Sequence, residues 1–227
     1  MDRGAVQQAF AAEAAAVEKA LSGVGEAAWR RPTRCAPWTV AELFAHVVVV
    51  VGRLDGMLDA PAPARAEVTA AEYYRPDARF APTANADRIA LARDRAADGP
   101  ALLAEHARTW RDADRRCRAE PDGRVVRTRH GDPMLLTDFL TTRVVELAVH
   151  GLDLADALDH APWLTGPAAD LLDALLLADG DADPDAVRAE LGWDRPAFLR
   201  KATGRTPLDR AEQDVLARTG LTWLTLG

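Results

Sequence analysis

The residues most able to do chemistry lie on the stretch Arg143-Val-Val-Glu146-Leu-Ala-Val-His150-Gly-Leu-Asp153-Leu. Its remaining residues are apolar nearly all round, so as a helix it belongs inside the protein. The four polar residues are spaced 3, 4 and 3 apart, and at about 100° per residue they fall within an arc of roughly 80°. A buried helix therefore carries one narrow polar stripe, and buried charge is costly unless it is paired or bound to metal. His46 poses the same problem elsewhere, as the only polar residue between Leu43 and Val51. If the two segments face one another, His46, Glu146 and His150 converge. Two imidazoles and one carboxylate make a three-ligand set for a divalent ion, with one position open. The i, i+4 spacing of Glu146 and His150 keeps both on one helix face. The same residues admit plainer readings. Glu146 and His150 suit a helix ion pair, His46 a hydrogen-bonded core histidine, Asp153 a cap for a neighbouring element, and Arg143 a partner for Glu146.

The chain that must position these groups has 227 residues, enough to bury a sizeable core as one large domain or as a domain with a small appendage. Its 48% apolar content excludes a mostly disordered chain. A formal net charge of −7 argues against nucleic acid as a partner, because phosphate attraction needs surplus positive charge. Two cysteines, Cys35 and Cys117, exclude a disulfide scaffold and a CxxC-type metal site. The longest apolar run, Leu43 to Val51, falls far short of the roughly 20 residues of a membrane span. The N-terminus lacks the basic start and apolar core of a secretory signal. The expectation is a soluble cytoplasmic protein with neither membrane nor nucleic acid as a partner.

Val6, Phe10, Val17 and Leu21 recur at helical spacing and predict a helix over 5–21. Thr39 and Glu42 have capping-box spacing, and an apolar run follows through Leu54, Met57 and Leu58. A helix is predicted here although Val47 to Val51 prefer strands locally. Residues 60–82 read as a proline-rich connector, 84–97 as a short polar helix and 102–118 as a longer one. Residues 125–128 read as extended, Gly131-Asp132-Pro133 as a turn, and 135–158 as a long apolar helix. Short helices are predicted over 168–178, 185–191, 196–202 and 209–219. The expected fold is mainly all-α. A four-helix bundle occupies 1–165, and a small, mostly helical C-terminal region over 166–227 packs on it.

Other reactive residue types read as structural. Cys35 has no base near it in sequence. Cys117 stands among Arg115, Arg116 and Arg118, which could lower a thiol pKa, but it reads as an exposed thiol on a polar helix. His106, His130 and His160 lie in polar surroundings and read as surface or loop residues. The arginines over 108–118 alternate with Asp112 and Asp114, as on a solvated helix face.

Three segments resemble a known family. Cys35-Ala-Pro-Trp38-Thr-Val-Ala-Glu-Leu-Phe-Ala-His46 resembles the stretch that opens the second helix of DinB-like metal-binding four-helix bundles. Thr142-Arg143-Val-Val-Glu146-Leu-Ala-Val-His150-Gly-Leu-Asp153-Leu resembles the matching segment of the group related to mycothiol-dependent maleylpyruvate isomerase. Phe198-Leu-Arg-Lys-Ala-Thr-Gly204-Arg205-Thr-Pro-Leu208 resembles the C-terminal part of that group. The resemblance implies a metal, usually zinc, held by His46, Glu146 and His150, and mycothiol as thiol cosubstrate. It implies an enzyme in which a zinc-bound thiolate, stabilised as the anion, attacks an electrophilic small molecule. The outcome would be S-transfer or exchange, or thiol-assisted cis–trans isomerisation. In that setting Asp153 would orient a ligand imidazole or contact the cosubstrate. Arg143 would hold Glu146 or bind a substrate anion. Arg205 would bind an anion as it closes over the site, or simply lie on the surface beside a glycine turn. Trp38 would line the pocket mouth or staple the second helix. A metal-dependent hydrolase, a non-haem iron enzyme and a non-catalytic ligand-binding bundle stand as alternatives.

Overall fold

The computed structural model describes residues 1–74, 82–96, 98–177 and 183–219. Residues 75–81, 97 and 178 of the expected connector and helices lie outside the described residues, as do residues 220–227. Four long helices form the body: α1 (Arg3–Leu21), α2 (Val40–Asp59), α5 (Gly99–Ala119) and α6 (Leu136–Leu158). Helices α1 and α2 each pack against both α5 and α6, which closes the bundle. Two short helices, α3 (Ala70–Tyr73) and α4 (Pro82–Arg95), lie between α2 and α5, and α4 packs on α2. A hairpin of β1 (Val125–Arg127) and β2 (Pro133–Leu135) pairs Val126 with Met134 and leads straight into α6. The remaining helices are α7 (Gly166–Leu176), α8 (Pro184–Leu191), α9 (Arg195–Ala202) and α10 (Arg210–Thr219). Helix α7 packs on α1, and α9 on α6 and α7. No helix among the described residues is long and apolar enough to cross a membrane.

The local signals for α2 hold. Thr39 Oγ1 accepts from the Glu42 N–H at 3.3 Å, and Glu42 Oε2 accepts from the Thr39 N–H at 2.7 Å. The valine run is helical because Val47, Val48, Val50 and Val51 are all buried in the core. Packing of an apolar face outweighs their weak local preference for strand. The same capping device starts α3, which falls within the stretch expected to be a connector. Thr69 and Glu72 form a second capping box there.

Two expectations on α5 are corrected. Cys117 is buried rather than exposed, and burial pushes its thiol up to about 12. His106 is fully buried, with Nε2 at 3.1 Å from the Ala14 carbonyl of α1. Leu102, His106, Ala113 and Cys117 follow one another at helical spacing and make the inner stripe of α5. The arginines beside Cys117 point the other way, so sequence neighbours misrepresent its surroundings.

Glu13 is a fully buried carboxyl on α1. Its Oε2 accepts from the Thr165 N–H at 2.9 Å and from Thr165 Oγ1 at 2.6 Å. Thr165 in turn caps α7, so Glu13 helps fix where α7 begins. Burial, only partly offset by Thr165, raises the Glu13 pKa from 4.5 to about 7. The folded chain therefore holds a proton that the unfolded chain has lost. Stability from this group is full below about 4.5 and falls as pH rises toward about 7. Glu13→Gln keeps an acceptor for Thr165 and removes the titration. Chemical denaturation from pH 5 to pH 8 should show the variant gaining on the wild type by on the order of 1–3 kcal/mol across that window.

Candidate metal centre

Helices α2 and α6 lie side by side and bring the three expected donors together. His46 Nε2 is 3.5 Å from Glu146 Oε2, and His150 Nε2 is 3.4 Å from the same oxygen. The three donor atoms lie within 4.8 Å of one another. Separations of 3.4–3.5 Å are long for a hydrogen bond. They match the edge of a tetrahedron around an ion with bonds of about 2.1 Å, which is roughly 3.4 Å. The donor chemistry and the spacing thus fit one divalent ion. The three side chains are 12%, 17% and 13% exposed, so the centre opens to a cavity rather than being sealed in the core.

The surroundings fix each donor. The Nδ1 of His150 is 3.0 Å from Asp153 Oδ2. An ionised carboxylate can only accept, so Nδ1 carries the hydrogen, and Nε2, which faces Glu146, is the nitrogen left to bind an ion once it has lost its own proton. Asp153 is itself buried and held from three further sides. Arg205 donates to it in a two-pronged contact, Nε to Oδ1 at 2.9 Å and Nη2 to Oδ2 at 2.8 Å. The Cys35 thiol donates to Oδ2 at 3.2 Å, and Arg34 Nε stands 3.7 Å from Oδ1. Arg205 reaches this position from a turn made by Gly204, whose φ of +70° favours glycine. Space is also tight at Gly151. A Cβ there would sit 3.0 Å from the Trp163 indole nitrogen, so a side chain after His150 would need the indole to give by a few tenths of an ångström.

Arg143 is fully inside the protein. Its Nη1 donates to the Val50 carbonyl of α2 at 3.0 Å, and Nε and Nη2 donate to Thr142 Oγ1 at 3.2 and 3.1 Å. Its guanidinium lies over the Phe139 ring and stands 3.9 Å from Glu146 Oε1, the oxygen turned away from the histidines. The Trp38 ring stacks on His46 at 4.8 Å and lines the cavity.

Opposing forces set the charge states. Burial works to raise the Glu146 carboxyl, but His150, His46 and Arg143 outweigh it and hold the group well below its usual range. Burial likewise works to raise Asp153, and His150 and Arg205 hold it low. Burial works to lower His150, yet Asp153, Cys35 and Glu146 raise it well above its ordinary value. For His46 burial prevails over Glu146 and the pKa is lowered. Without an ion, two carboxylates thus flank one cationic imidazole. A divalent cation would take over the charge balance that this proton supplies.

The cavity beside the centre holds about 490 Å³. It is lined by every candidate ligand, catalytic and cosubstrate-binding residue read from the sequence except Asp153, which lies behind His150. It also contains residues that the sequence does not flag, including Tyr74, whose hydroxyl donates to the Thr142 carbonyl at 3.0 Å. His130, expected on a surface or loop, lines this cavity as well, while His160 is exposed as expected. Cys35 belongs to the site through Asp153. Its place inside the opening motif is the only sequence signal for that.

Residues 10–155 match the family described as the mycothiol maleylpyruvate isomerase N-terminal domain. Among solved structures, the crystal structure of the mycothiol-dependent maleylpyruvate isomerase aligns with a TM-score of 0.52 at 17% identity, covering 78% of this chain and 70% of that one. A histidine-to-alanine mutant of the mycothiol-dependent maleylpyruvate isomerase aligns with a TM-score of 0.51 at 15% identity, covering 81% and 74%. At such identities the likeness is one of fold. Compared with curated protein sequences, the chain matches none.

The geometry separates ligands from their supports. His46→Ala should abolish stoichiometric zinc binding in a competitive chelator titration. Asp153→Asn, which can no longer hold the His150 tautomer as an anion, should weaken zinc by about 10–100-fold. Both variants should keep a helical circular dichroism spectrum. Equal zinc affinity in His46→Ala and wild type would remove the donor set.

Proposed function

This chain belongs to the mycothiol maleylpyruvate isomerase N-terminal domain family, and from that membership we propose that it is a metal-dependent enzyme using a mycothiol-type thiol against an electrophilic small molecule. The observation that supports this reading best is the convergence of His46, Glu146 and His150 at the wall of a cavity large enough for two small reactants. A divalent ion held there, zinc by the donor chemistry, would lower the pKa of a thiol and keep it as the thiolate. The thiolate would attack an electrophilic carbon. Retention of the new S–C bond, with a leaving group expelled from that carbon or a proton taken up at the neighbouring one, gives transfer, exchange or addition. Its cleavage after bond rotation gives cis–trans isomerisation.

The chain's own residues have distinct parts in this. Asp153 fixes the tautomer and the plane of His150. Arg205 is a positioning residue: Nε and Nη2 are engaged by Asp153, and Nη1 donates to the Thr203 carbonyl at 3.0 Å. That arrangement suits it to bracing Asp153 better than to binding a substrate anion. Arg143 steadies Glu146 from behind and ties α2 to α6. Trp38 walls the cavity beside His46, as a surface for the thiol cosubstrate. The proposed compartment is the cytoplasm, where low-molecular-weight thiols stay reduced.

A second reading draws on the same donors. Two histidines and one carboxylate are also the set that holds non-haem Fe(II), and elemental analysis of the purified protein separates the two. To test the main reading, the zinc-loaded protein is incubated with mycothiol and a panel of cis-unsaturated keto acids and alkylating electrophiles, and products are read by mass spectrometry. Turnover should require the thiol and fall by about 100-fold or more in His46→Ala, as for loss of a group acting on the developing charge. Turnover that is indifferent to thiol would overturn the reading.

A further inference from the structure

The same cavity carries a second concentration of charge that the metal centre does not use. Arg53, Arg88 and Arg129 all line it. Arg53 lies seven residues beyond His46 on α2, hence on the same face and roughly 10 Å further along the axis. Arg88 comes from α4, and Arg129 from the turn between β1 and β2. Three elements remote in sequence thus each send one guanidinium into one space.

These cations repel one another. Burial first, then Arg129, Arg143 and Arg88, bring the pKa of Arg53 down to about 10. Burial and then Arg129 lower Arg88, against a pull from Glu146 and Tyr73. Arg53 is half-buried, yet among the described residues neither it nor Arg129 has a salt bridge or hydrogen bond. The other arginines of the cavity differ in this, Arg88 among them, which has an interaction of its own. Arg143 and Arg205 are engaged as described, and Arg34 donates to the Arg205 carbonyl at 2.6 Å. Acidic partners are not scarce in a chain with 35 acidic and 28 basic residues. Like charges gathered in a cavity destabilise the fold unless something compensates them. A tetrahedral oxyanion presents acceptors in several directions at once and so suits guanidinium groups that arrive from three separate elements.

We propose that Arg53 and Arg129, with Arg88 beside them, form an anion subsite for a phosphate-type dianion in the same cavity as the metal donors. The subsite stands on the cavity and its three arginines. Only its role in holding the electrophilic substrate by a phosphate ester rests on the function proposed above. In that role it would orient a substrate with its anion at the arginines and its reactive carbon toward the donors.

The test is calorimetric titration of the purified, full-length protein with inorganic phosphate at low ionic strength, with chloride and succinate as comparison ions. Phosphate should bind saturably and raise the melting temperature, and succinate should bind more weakly. Arg53→Gln and Arg129→Gln should each weaken phosphate by about 10-fold or more, while zinc affinity stays at the wild-type value. Arg53→Gln should melt no lower than wild type without phosphate, because it removes repulsion rather than a contact. His46→Ala should bind phosphate normally, so loss of the metal reading and loss of the anion subsite are distinguishable. Absence of saturable phosphate binding, equal binding in Arg53→Gln, or succinate as tight as phosphate would each overturn the proposal.

Discussion

The Asp153 carboxylate is the interaction on which the arrangement of the site depends. It is buried on α6, and a lone ionised carboxyl there would be strongly destabilising. It persists because four groups from three parts of the chain supply donors or positive charge: His150 of α6, Cys35 and Arg34 of the loop before α2, and Arg205 after α9. One oxyanion therefore joins the bundle, its entry loop and the C-terminal region. It also decides which nitrogen of His150 faces the cavity. Loss of one partner from such a buried set leaves the rest uncompensated, at about 3–5 kcal/mol in comparable cases.

Arg143 performs the matching task on the other side of the donors. Its guanidinium crosses from α6 to the Val50 carbonyl of α2 and backs the distal oxygen of Glu146. The two helices that carry the donors are thereby cross-linked one turn away from them. The family match ends at residue 155, whereas Arg205 lies fifty residues later. The C-terminal region is thus structurally continuous with the centre, through one guanidinium and the glycine turn that delivers it.

Much of the site is legible in the sequence because it breaks a rule. His46 stands alone in an apolar run, and Glu146 and His150 share a stripe on an otherwise apolar helix, so buried polar groups in need of partners point to their convergence. The capping box at Thr39 outranks five consecutive valines for a similar reason: it fixes the start of a helix whose apolar face the core then rewards. For Cys117 and His106 the neighbours in sequence misrepresent the surroundings. On a helix the relevant neighbours are those three, four and seven residues away, and by that measure both lie on the inner stripe. The arginines of the cavity carry no such signal. Arg53, Arg88 and Arg129 each look like ordinary surface residues, and only the packing of α4 on α2 and the turn of the hairpin gathers them.

The sequence by itself determined the helical class, the long helices and which three polar residues stand out as candidate donors, because hydrophobic periodicity and stranded polar groups are local facts of the chain. Tertiary structure alone decided that Asp153 faces Arg205 and Cys35, that Glu13 sits beneath Thr165, and that three arginines share one cavity. Those pairings join residues far apart in sequence, and their energies come from mutual burial and charge, which exist only once the elements have packed.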